Sequence, residues 1–145
     1  MTALGRERLR RDPESAVETF EQALRLWRGP ALAELEEPFA AIEAARLDEL
    51  RLASIEDRAE ALLACGRHRE LTGELEGLAA RSPLRPRLRE QLIVALYRSD
   101  RHAEALSAYR SHREALDELG IEPAQQLREL ERRVLRQDPS LEWRP

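Results

Sequence analysis

The sequence predicts an all-α chain of about six to seven helices, arranged as stacked helical hairpins. Three observations predict it. Between Gly and Pro breaks, apolar residues recur three and four positions apart, the period of a helix with one buried face. Runs of Val, Ile, Thr and aromatics that would read as strands are missing. The stretch from Leu62 to Leu71, with Gly66-Arg67-His68-Arg69-Glu70 at its centre, returns as Leu96 to Ala105 with Asp100-Arg101-His102-Ala103-Glu104, an offset of 34 residues.

The first helix begins at Asp12-Pro13-Glu14, a side-chain acceptor at the N-cap, proline at the first helical position and an acid in the first turn. Its apolar face is Ala16, Val17, Phe20, Ala23, Leu24 and Trp27. Gly29-Pro30 stops it, since glycine permits a left-handed cap and proline cannot continue the ladder. A short turn or helix through Leu32 and Leu35 follows, and Glu37-Pro38 opens the longest pattern, from Phe39 to about Cys65. That helix would span about 40 Å. Its expected core residues are Ile42, Leu47, Leu50, Ile55, Ala59, Leu62 and Leu63.

Gly66 ends the long helix, and a further helix is expected over Arg67 to Arg81 with Leu71, Leu75 and Leu78 inward. Gly73 and Gly77 each cost that helix about 1 kcal/mol relative to alanine, which is expected where helices pack closely. Ser82-Pro83 and Arg85-Pro86 mark the next break, with helices over Pro86–Ser99 and Arg101–Leu119 beyond it. Gly120 closes the latter, Pro123 opens a last helix through Leu127, Leu130, Val134 and Leu135, and Asp138-Pro139 ends the pattern. Trp143, in the short tail, is left open between docking and solvation.

A 34-residue offset is the period of tetratricopeptide helix pairs, which bury their apolar faces only by stacking. Ala105 fits the small residue needed where two helices cross, and Tyr109 the aromatic one turn later, with Leu92 and Leu96 on the preceding helix. Leu71 and Leu75 stand at the equivalent places one repeat earlier, a looser fit. Ala16, Phe20 and Ala23 have the spacing of a second helix without a matching first.

Composition narrows the function. All 24 basic residues are arginine, and the formal net charge is −4, against a domain whose main work is neutralising phosphates. Arginines cluster at Arg6, Arg8, Arg10 and Arg11, at Arg81, Arg85, Arg87 and Arg89, and at Arg132, Arg133 and Arg136. Most have acidic neighbours and read as mixed-charge solvated faces. Direct DNA binding through them would weaken steeply with salt. The single Cys65 suits a reducing, cytoplasmic setting, and no window approaches a membrane span.

No catalytic, cofactor-binding or metal site is read. Gly66 separates Cys65 from His68, no further ligands lie close in sequence, and the glycines match no phosphate loop. His68 and His102 are equivalent repeat positions, expected to be structural or solvent-facing. The Arg81, Arg85, Arg87 and Arg89 edge is the candidate contact for an acidic protein partner.

Several segments resemble the bacterial transcriptional activator domain of actinobacterial antibiotic regulatory proteins of the Streptomyces type. They are Ala23-Leu24-Arg25-Leu26-Trp27-Arg28-Gly29-Pro30-Ala31-Leu32, the Glu43 to Ala59 helix, Ala95-Leu96-Tyr97 with Glu104-Ala105-Leu106, Glu118-Leu119-Gly120-Ile121-Glu122-Pro123 and Leu135-Arg136-Gln137-Asp138-Pro139. On this resemblance, residues 12–141 form the activator domain, 1–11 a flexible N-terminal segment and 142–145 a tail. The resemblance implies a tetratricopeptide-like effector or oligomerisation module of a transcriptional activator. It would act through protein contacts, with itself as a dimer or with RNA polymerase, and a winged-helix domain missing from this chain would supply DNA binding. The alternative is a generic tetratricopeptide-type scaffold that binds a peptide or partner helix without a transcription role.

Overall fold

The computed structural model describes residues 12–25 and 39–145. The expectations placed on residues 1–11, Trp27, Gly29-Pro30, Leu32 and Leu35 lie outside the described residues. The described residues are helical with no strand, in six α-helices and two 3-10 turns. They divide into two compact units, the first ending at Leu62 and the second starting at Leu63.

Helix α1, Pro13–Arg25, lies in the first unit, and α2, Phe39–Ala64, belongs to it as far as Leu62, its last two residues being counted with the second. Asp12 caps α1 as read, its Oδ1 accepting from the Ser15 amide at 3.4 Å. Ala16, Val17 and Phe20 are buried, and so are Ile55, Ala59 and Leu62 on α2. Arg58 Nε on α2 donates to Glu21 Oε1 on α1 at 3.2 Å. The early part of α2 departs from expectation: Ile42 is 66% exposed and Leu50 43%. Spacing alone marked them as core, but helical periodicity identifies a face without showing whether anything covers it.

The second unit contains a 3-10 turn His68–Glu70, α3 Thr72–Arg81, α4 Pro86–Arg98, α5 His102–Asp117, α6 Gln125–Leu135 and a 3-10 turn Pro139–Leu141. Helix α4 is its hub, touching α3, α5, α6 and both 3-10 turns. Leu88, Leu92, Ile93, Ala95 and Leu96 of α4 are buried, facing a core that also holds Leu75, Ala105, Tyr109, Leu127 and Leu130. The helix expected over Arg67–Arg81 is broken at Leu71, where a short 3-10 turn gives way to α3. The last helix starts at Gln125 rather than Pro123.

Both repeats begin alike. Arg67 forks onto Glu70 through two bonds of 2.9 Å, and Arg101 forks onto Glu104, with Nε 3.0 Å from Oε1. These pairs at i and i+3 lie 34 residues apart, so the sequence repeat is also a repeat of geometry. Gly73 and Gly77 do not mark close packing as expected. A Cβ at either would meet no atom within 4 Å.

Helices α4, α5 and α6 end alike. Just past each helix an amide reaches back to the carbonyl five residues earlier: Arg101 to Leu96 at 2.9 Å, Ile121 to Leu116 at 3.0 Å and Asp138 to Arg133 at 2.9 Å. This closure places the intervening residue in the left-handed region. Gly120 takes that position with φ +70°, while Asp100 and Gln137 take it with φ 61° and 51°. Trp143, left open by the sequence, is docked: its Nε1 donates to the Ala64 carbonyl at 2.9 Å, at the C-terminal end of α2.

Candidate partner-binding groove

Helices α3, α4 and α5 enclose an open groove of about 420 Å³. Small residues make it: Ala79 and Ala80 from α3, and Ser107, Ala108 and Ser111 from α5 line it beside Leu92 and Leu96 of α4. Their short side chains leave space between the helix axes that larger side chains would fill. Pro83, in the turn between α3 and α4, closes one end, where its carbonyl accepts from His112 Nδ1 at 3.0 Å. That bond places the His112 proton on Nδ1. Burial holds the imidazole pKa below its ordinary value, aided by the nearby Arg89 charge and opposed by the Pro83 bond.

Arg89 forms part of the groove floor, and here the predicted basic edge is corrected. Its residue is only 7% exposed. Nη1 donates to the Ala108 carbonyl at 3.1 Å and Nη2 to the Ala79 carbonyl at 3.4 Å. Burial lowers its pKa. A guanidinium tied to two helices inside the protein is a strut rather than a surface contact. The Arg87 and Arg89 side chains differ in burial because residues two apart on a helix lie on different faces. Arg81 is exposed, and Arg85 and Arg87 are half-buried.

The sequence reading missed the acidic groove lining, which comes from Glu76 of α3 and Glu104 of α5. Arg101 Nη2 bridges them, 3.0 Å from Glu76 Oε1 and in contact with Glu104 Oε2. Its hydrogen bond lowers the Glu104 pKa, and the same bond raises that of Arg101. The repeat position of Glu104 was visible in the sequence, whereas its convergence with Glu76 needed the helix pairing. No helix of the described residues is long and apolar enough to cross a membrane.

The family model for the bacterial transcriptional activator domain matches residues 1–135. The chain belongs to this family. The regulatory protein AfsR of Streptomyces coelicolor is 46% identical over 127 residues, covering 87% of this chain and 13% of AfsR. DnrI, a regulatory protein of Streptomyces peucetius, is 43% identical over 125 residues, covering 85% of this chain and 46% of DnrI. The chain therefore spans less than half the length of these relatives. A solved structure of Mycobacterium tuberculosis EmbR in complex with a low-affinity phosphopeptide has a TM-score of 0.87 at 41% identity, covering 95% of this chain and 37% of that one. The resemblance read from the sequence and the all-α fold are both borne out. Relatives are named as regulatory proteins, RedD of Streptomyces coelicolor and EmbR as regulators of transcription, and not as enzymes.

Proposed function

We propose that these residues form the effector module of a cytoplasmic transcriptional activator, working through protein–protein contacts. The observation that carries this reading is the small-residue groove between α3, α4 and α5, in a chain of the activator-domain family. A groove between stacked helical hairpins suits a partner's helix or extended segment. RNA polymerase and a second copy of the domain are the proposed partners. The turn carrying Arg81 and Arg85 stands at the groove end that Pro83 lines, so Arg81, Arg85 and Arg87 are the proposed contacts for acidic residues of that partner. The net charge of −4 supports assigning DNA reading to a winged-helix domain outside these residues.

The test reverses the charge at Arg81, Arg85 and Arg87 together, in the protein carrying its DNA-binding part. Reporter transcription is expected to fall about tenfold while promoter occupancy and the thermal midpoint stay unchanged; a tenfold change corresponds to about 1.4 kcal/mol of lost contact. Transcription unchanged by the triple reversal would remove the arginine edge from the proposal.

A further inference from the structure

One end of the second unit carries large apolar side chains in water. Leu84, Leu119 and Ile121 are all exposed there, whereas Leu116, one turn before Leu119, is buried. Leu84 sits in the turn between α3 and α4, and the carbonyl of the preceding Pro83 accepts from His112 of α5. Leu119 follows His112 by seven residues, two helical turns, which puts it on the side of α5 that faces this turn. Ile121 comes two residues later, past Gly120. Exposed apolar side chains gathered at one place mark a contact surface more than the same residues scattered singly.

The backbone that presents them is closed. The Leu119 and Ile121 amides both donate to the Leu116 carbonyl, at 2.9 and 3.0 Å, and the Gly120 amide donates to the Asp117 carbonyl at 3.0 Å. The Arg85 amide donates to the Ser82 carbonyl at 3.2 Å and closes the turn that holds Leu84. Segments fixed in this way lose little conformational freedom when a partner covers them.

Charge of both signs edges the same face. Arg81 ends α3 beside the turn, Asp117 ends α5 and Glu118 is its C-cap. All three are exposed, and none makes an ion pair among the described residues. Glu122, further along, is held by Arg128 at 3.8 Å. A partner surface of one sign would meet like charge either at Arg81 or at Asp117 and Glu118. A second copy of the chain carries both signs in the same arrangement. Turned through a two-fold axis, it brings its Glu118 to Arg81 and its Arg81 to Glu118, since every pair in an isologous contact occurs twice.

We infer that this end of the second unit is the contact between two copies of the chain, with Leu84, Leu119 and Ile121 at its centre and Arg81–Glu118 pairs across its rim. The apolar centre supplies the affinity, and the rim pairs set the register and reject other partners. This assigns a surface to the second copy named above as a partner, and it rests on that reading.

Sedimentation equilibrium of the 145-residue chain over a range of concentrations tests it. A monomer–dimer equilibrium is expected, with a dissociation constant on the order of 100 μM for a contact of modest size. Leu119→Asp should weaken it about tenfold with the thermal midpoint unchanged. Leu135→Asp, which changes the exposed last residue of α6, should leave it as it is. Arg81→Glu and Glu118→Arg should each weaken it about tenfold, because each turns two attractive pairs into two repulsive ones. Mixing the Arg81→Glu chain with the Glu118→Arg chain should restore association, since both cross-pairs are then attractive. A chain that stays monomeric at millimolar concentration would overturn the inference, as would a dimer indifferent to Leu119→Asp, an equal loss from Leu135→Asp, or two charge variants that do not associate when mixed. A monomeric chain that still activates transcription when tethered to DNA would overturn this inference alone and leave the effector reading standing.

Discussion

Arg89→Met is expected to destabilise the second unit by about 2–3 kcal/mol, although methionine keeps most of the apolar stem. The two carbonyls that Arg89 holds are not equivalent. Ala108 lies inside α5, so its carbonyl keeps a helical partner after the substitution. Ala79 lies in the last turn of α3, where the final four carbonyls have no amide ahead of them within the helix. Arg89 reaches it from α4 and is its cap from a distance. Removing the guanidinium loses a charge-assisted hydrogen bond to each helix and leaves a buried acceptor unsatisfied. Arg89→Lys should recover only part of the loss, because an ammonium cannot reproduce the fork that spans α3 and α5. Urea unfolding followed by circular dichroism measures both variants. A loss below about 0.5 kcal/mol for Arg89→Met would show that the strut is dispensable.

The second large effect is expected at Gly66, where Gly66→Ala should cost about 2–3 kcal/mol from two separable causes. Gly66 has φ +76°, and a side chain in that region costs about 1 kcal/mol. The added Cβ would also stand 2.7 to 2.9 Å from three atoms of the Trp143 ring. The indole must then move, and its bond to the Ala64 carbonyl is lost with it. Trp143→Ala should itself cost about 2 kcal/mol through the lost bond and the uncovered surface. A double-mutant cycle separates the terms. In the Trp143→Ala background Gly66→Ala should cost only the backbone part, about 1 kcal/mol. Strict additivity would mean that the ring and the glycine are not coupled.

Both effects lie where the sequence was least legible. Punctuation was readable because Gly and Pro act locally: α2 was expected from Phe39 to about Cys65 and runs Phe39–Ala64. Helices α4 and α5 fall within two residues of their expected ends. The 34-residue repeat was readable because it fixes the same Arg-to-Glu fork twice. Tertiary contacts were not readable in the same way. Arg89 sat in a run of arginines that looked like one basic edge, and its burial depends on carbonyls 10 and 19 residues away. Trp143 docks on a carbonyl 79 residues away. Gly73 and Gly77 carried a local cost that implied a packing reason, yet they face open space. Glu76 and Glu104 became one acidic lining only through Arg101 between them.

The central claim is that these helices act on transcription by contacting protein, with DNA reading supplied from elsewhere. The most direct measurement fuses residues 1–145 to an unrelated DNA-binding domain and reads a reporter bearing only that domain's operator in an actinobacterial host. The account predicts activation by the fusion, and none by the same chain expressed untethered. Reporter output no higher than with the DNA-binding domain alone, from a fusion shown to be folded and bound to its operator, would contradict it.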